Sequence, residues 1–174
     1  MILLALSCYL DVTLTAESRG GEFVVTQLLR GLGTVFCMMF LNQAAISSVS
    51  VDDAGDASGL FNAARNLGGS IGLAIIATLQ DGRTEFHRWI IHSSLSANGD
   101  ALQNWVAQQA ALYGGGDDGI AIAMRTLDGM GSRDALVMAF NDEFMALTIA
   151  IMTVTPLVLL LRPLPKDYHA KVAH

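Results

Sequence analysis

The stretch from Ser58 to Leu79, SGLFNAARNLGGSIGLAIIATL, is long enough to cross a bilayer yet carries two asparagines, an arginine and a cluster of glycines. About 20 apolar residues span membrane hydrocarbon, and an arginine at mid-depth costs roughly 2.5 to 3.5 kcal/mol on insertion scales. A helix that keeps such residues must satisfy them at an interface, with a carboxylate or in a wet cavity. At 100° per residue, Asn62, Arg65, Asn66, Gly69, Leu73 and Gln80 fall on one stripe, and Ala64, Gly68 and Gly72 form a second about a quarter-turn away. Gly68 and Gly72 make a GxxxG step, where another helix backbone can approach closely. The polar stripe asks for a different neighbour: Arg65 reads either as a structural anchor or as part of a transport path.

Three further apolar segments, Met1 to about Ala16, Phe23 to about Val49 and Phe144 to Leu161, have or approach membrane length. The first is short and reads as a truncated transmembrane helix, since it lacks the basic leader of a signal peptide. With 52% hydrophobic and 15% charged residues, the chain is more apolar than a soluble domain of this size needs. The predicted class is therefore all-α, an integral membrane bundle of four transmembrane helices with a long, partly helical loop between the third and fourth. Residues 1–80 hold three spans, 81–138 the extramembrane loop, 139–162 the last span and 163–174 a tail. Within the loop, helices are expected at Gly82 to Leu95 and at Asp100 to Tyr113, the latter capped by Asp100. GGGDDG (Gly114 to Gly119) breaks the chain, and Ser132 is expected to cap a helix running into the last span. There Pro156 predicts a kink, with Thr153 and Thr155 available to the freed backbone.

In the second span Arg30 shares a face with Thr26, Thr34, Cys37 and Ser48, while Leu32, Val35, Phe36 and Met39 lie opposite and suit lipid. A tight connection through ESRGGE (Glu17 to Glu22) brings Asp11 of the first span to a depth similar to Arg30. An Asp11–Arg30 ion pair would relieve the desolvation of both charges; the alternative is a solvated Asp11 at the interface.

Little else suggests chemistry. A net charge of −6 with ten scattered basic residues argues against a nucleic-acid partner. His87 and His92 are five apart, a poor spacing for two metal ligands on one helical face. Cys8 and Cys37 sit in separate apolar runs as small hydrophobes. GGGDDG lacks the Lys and Ser/Thr of a phosphate loop, and Asp142 with Glu143 reads as capping, solvating or lining a vestibule at the mouth of the last span. No enzyme, cofactor or metal site is expected. Arg162, Lys166 and Lys171 after the last span favour a cytoplasmic C-terminus.

The order of these segments resembles a known family. QLLRGLGTVFCMMFLNQAAIS, an acidic turn, DASGLFNAARNLGGSIGLAII, a long loop and NDEF before a final apolar span are similar to the C-terminal end of fourteen-helix drug:proton antiporters of the major facilitator superfamily, the EmrB/QacA type. GLFNAARNLGGSIG is the most specific part. The resemblance implies the eleventh to fourteenth helices of a multi-pass inner-membrane protein that exports hydrophobic or cationic drugs in exchange for protons. Its partners would be lipid and the remaining helices. The acidic coupling residues and glycine-proline motif of the N-terminal half have no counterpart here, so a fragment that does not transport alone is expected. The alternative is a small standalone membrane protein for interaction or assembly.

Overall fold

The computed structural model describes residues 1–47, 49–50 and 53–158. Every regular element among them is helical: α1 (Ile2–Leu10), a 3-10 turn (Asp11–Thr13), α2 (Gly20–Ser47), α3 (Ala54–Ala97), α4 (Gly99–Leu112) and α5 (Gly116–Val158). Phe23–Ser47 and Gly116–Leu157 are long and apolar enough to cross a membrane, and Ile2–Thr13 is a shorter apolar helix. Only 11% and 17% of the residues in the apolar windows of the two long helices are buried, whereas the core helix of a soluble domain is mostly covered. Ser58 to Leu79 lies inside α3 but is not among the helices that qualify, because Asn62, Arg65 and Asn66 dilute its apolar content. The tail with Arg162, Lys166 and Lys171, like Ser48, lies outside the described residues.

Three of the expected boundaries move. α3 has 44 residues and α5 has 43, about 65 Å each at 1.5 Å per residue and twice the hydrocarbon thickness. The helix expected at Gly82 to Leu95 is thus a continuation of α3, since Gln80 to Arg83 contains no proline and one glycine costs a helix only about 1 kcal/mol. Likewise Ser132 is an interior residue of α5 and caps nothing. α4 starts after Asn98, which leaves Asp100 in the first turn, where its charge suits the helix dipole. GGGDDG does break the chain: Gly114, Gly115 and Gly116 all have φ between 66° and 92°, a region glycine enters without a Cβ clash. Gly115 N–H closes α4 on Ala110 O at 2.9 Å.

The chain divides into two compact units: Met1–Val12, Arg19–Ile76 and the chain from Phe144 form one, and Thr13–Ser18 with Ala77–Glu143 form the other. In the first, α1 packs along α2 and buries Ala5, Ser7 and Cys8. Gly33 makes this approach possible, because a Cβ there would stand 3.0 Å from Leu4 N and 3.1 Å from Leu4 Cγ. Leu32, Val35, Phe36 and Met39 on α2 are exposed. Pro156 lies within α5, which continues to Val158; the Thr153 and Thr155 hydroxyls bond Ile149 O and Ile151 O rather than the Met152 carbonyl opposite the proline.

In the second unit α5 presents a small-residue stripe at four-residue spacing. Gly119, Ala123, Ala135 and Ala139 are buried, with Leu127 and Gly131 half-buried between them. A Cβ on Gly119 would meet Ala110 O at 2.7 Å, and one on Gly131 would touch Ile91. Small side chains in register let α4 and the distal half of α3 approach α5 closely.

Candidate functional site

Within the first unit the Arg30 guanidinium donates to the Asp11 carboxylate. Asp11 opens the 3-10 turn after α1 and is 1% exposed, whereas the Arg30 side chain is 25% exposed. The guanidinium carbon also sits 4.8 Å from the centroid of the Phe144 ring, a distance at which the aromatic face attracts a cation. Nε of Arg30 is buried without a hydrogen-bond partner among the described residues. Nearby, Thr26 is buried and bonds Phe23 O, and Thr34 bonds the Arg30 carbonyl at 2.8 Å. This is a polar seam along an otherwise apolar helix pair.

The α3 stripes have a different environment. Asn62, Arg65 and Asn66 are all exposed, and their side chains make no hydrogen bond or ion pair among the described residues. A Cβ on Gly68, Gly69 or Gly72 would meet nothing within 4 Å. Leu60, Leu67, Ile71, Leu73 and Ile75 are exposed as well. Among the described residues, the structure therefore brings Arg30 together with Asp11 but gives Asn62, Arg65 and Asn66 no hydrogen-bonding or ionic partner.

A further polar cluster, in the second unit, was not anticipated as a group. His87 Nε2 lies 2.7 Å and Arg83 Nε 3.2 Å from the same oxygen of Asp142, and His87 is nine-tenths buried. One turn onward on α3, Arg88 reaches Asp128 at 3.2 Å, with His92 3.7 Å away. Arg83/His87 and Arg88/His92 are each four apart, so each pair faces one acid of α5; that repeat was the available signal. Next to Asp142, Glu143 is buried with one carboxylate oxygen lacking a partner among the described residues. Asn141 donates to Leu14 O at 2.8 Å, and Arg133 to Ala16 O, tying residues 14–16 to α5.

No protein-family model and no solved structure matches the chain. Over 161 residues, 89% of its length, the chain is 32% identical to the protein named colistin resistance protein EmrB of Acinetobacter baumannii. The match takes in 30% of that relative, so the chain is similar to one portion of a longer protein.

Proposed function

We propose that this sequence is the C-terminal part of a proton-coupled multidrug efflux transporter of the fourteen-helix type, and that it does not transport alone. The likeness over 89% of the chain to a protein named for colistin resistance supports the transporter reading. The observation that carries the second half is α3, whose Asn62/Arg65/Asn66 stripe and Gly68/Gly72 face have no neighbour among the described residues. Lipid satisfies neither face: polar side chains need protein or water, and close glycine steps need another backbone. Further helices of a complete transporter would supply both, with the Asn62/Arg65/Asn66 stripe toward a wet path and the glycines toward a packed helix. A substrate cavity between two helical halves needs both walls. In this reading the protein sits in the cytoplasmic membrane with its C-terminus inside, and drug and protons are the complete transporter's ligands.

The test has two arms. Vesicles holding only the 174 residues are expected to show no proton-driven drug uptake, and uptake by them would overturn the fragment reading. A longer protein containing this sequence is expected to confer drug resistance that Arg65→Ala abolishes at equal expression; resistance that persists unchanged would remove Arg65 from the path. A small assembly protein would use the same open Gly68/Gly72 face, and is distinguished by co-purification with a foreign membrane complex that Gly68→Leu disrupts.

A further inference from the structure

The second unit contains a cleft of about 270 Å³ lined by Ile91, His92 and Leu95 of α3, Leu102 of α4, and Met124, Leu127, Asp128 and Gly131 of α5. Its walls are apolar apart from Asp128 and His92, whose Nε2 lies 3.7 Å from the Asp128 carboxylate. Gly131 helps to open it, because a side chain at that point of the α5 stripe would project toward Ile91.

We infer that this cleft binds a small amphipathic amine, with its apolar body between the leucines and Met124 and its cationic head on the Asp128 carboxylate. Three observations select a cation. Asp128 lines the cleft itself together with its more distant partner His92, whereas Arg88, the nearer partner, does not. The Arg88–Asp128 pair is open to solvent, with side chains 43% and 53% exposed and nitrogen–oxygen distances of 3.2 and 3.5 Å. Exposed ion pairs of this kind contribute little net stability, so an ammonium group can replace the guanidinium at little cost. Finally, the unit concentrates the protein's charge: Thr13–Ser18 and Ala77–Glu143 hold ten acids and four arginines, a balance of −6 that equals the net charge of the whole chain. Such a field raises the local concentration of cations and disfavours anions.

The volume sets the size of the ligand. Pockets for drug-sized molecules run from about 300 to 1,000 Å³, so this cleft suits one ring and a short amine chain. The site stands apart from the transport reading, since it uses none of Arg30, Asn62, Arg65 or Asn66 and operates whether or not the chain moves a substrate.

The experiment uses the full chain in detergent with ¹³C-methyl methionine, following the Met124 resonance while phenethylamine, 2-phenylethanol or phenylacetate is added. Phenethylamine is expected to shift Met124 saturably while most of the other seven methionines stay in place. Asp128→Asn should weaken its binding at least tenfold, and Gly131→Leu should abolish the shift by filling the cleft. Added salt should weaken the amine and leave the alcohol unaffected. Equal binding of amine and alcohol, preferential binding of phenylacetate, or an Asp128→Asn protein that binds as the native one does would each overturn the assignment. Unchanged resonances of the other methionines in each variant show that folding is not the cause.

Discussion

Arg30 and Asp11, nineteen positions apart, form an ion pair in which the acid is almost fully buried while the base keeps a quarter of its side-chain surface open and lies over Phe144. The two halves of the pair are therefore not equivalent. Removing the base strands a buried carboxylate; removing the acid leaves a cation that still has an aromatic face and some solvent. We expect Arg30→Met to destabilise the chain by about 3 kcal/mol and Asp11→Asn by about half as much, with Asp11→Leu/Arg30→Met recovering most of the loss. Thermal unfolding of the four proteins in one detergent checks the order. Equal losses for the two single variants would mean that solvent reaches Asp11.

Neighbouring acids at the end of the α5 stripe give opposite expectations. Asp142 hydrogen-bonds His87 and pairs with Arg83, whereas Glu143 is buried with an oxygen that has no partner among the described residues. Asp142→Asn should cost about 1 kcal/mol, because a half-exposed ionic cluster that holds the buried His87 loses its charge. Glu143→Gln removes a charge that burial penalises and should be neutral or stabilising by about 1 kcal/mol. Hydrogen exchange along α3 and α5 reads both, with faster exchange near residue 87 expected only for the first. A loss of similar size for Glu143→Gln would reveal an ionic partner for that carboxylate.

Much of this architecture is written in local patterns. The apolar runs, the tight connection before α2 and the GGGDDG break follow from composition and glycine placement, and the facing of Arg30 opposite Leu32, Val35, Phe36 and Met39 follows from 3.6-residue periodicity. Helix length was less legible. Gln80 to Arg83 and Gly129 to Ser132 look like breaks because they are polar or glycine-rich, yet neither contains a proline, and packing in the second unit outweighs the propensity cost. Ser132 illustrates the difficulty, as a residue suited to a cap that lies one position after Gly131 on the packed stripe. The His87–Asp142 contact joins residues 55 apart, and only the repeated four-residue spacing of Arg and His hinted at it. For Asn62, Arg65 and Asn66 the pattern states a need for partners, and no described residue of this chain supplies them.

Glycines in close internal contact and glycines on open faces should respond oppositely to an added methyl. Gly119→Ala would put a Cβ 2.7 Å from the Ala110 carbonyl oxygen, and Gly33→Ala one 3.0 Å from Leu4 N. Both oppose backbone, which cannot rotate away as a side chain can, so each should cost about 1 to 3 kcal/mol. At Gly68 and Gly72 an added methyl meets open space, and alanine should raise the stability of the isolated chain by about 0.5 to 1 kcal/mol through helix propensity alone. In a complete transporter the sign should reverse at these two positions, since a close helix contact there leaves no room for larger side chains. Measuring Gly72→Ala and the bulkier Gly72→Leu in both settings, by thermal unfolding of the chain and by drug susceptibility and membrane abundance of the longer protein, tests this directly. If Gly72→Leu is tolerated in the longer protein with full resistance, the glycine face looks onto lipid there too, and the neighbour required by the proposed assembly does not lie on that side of α3.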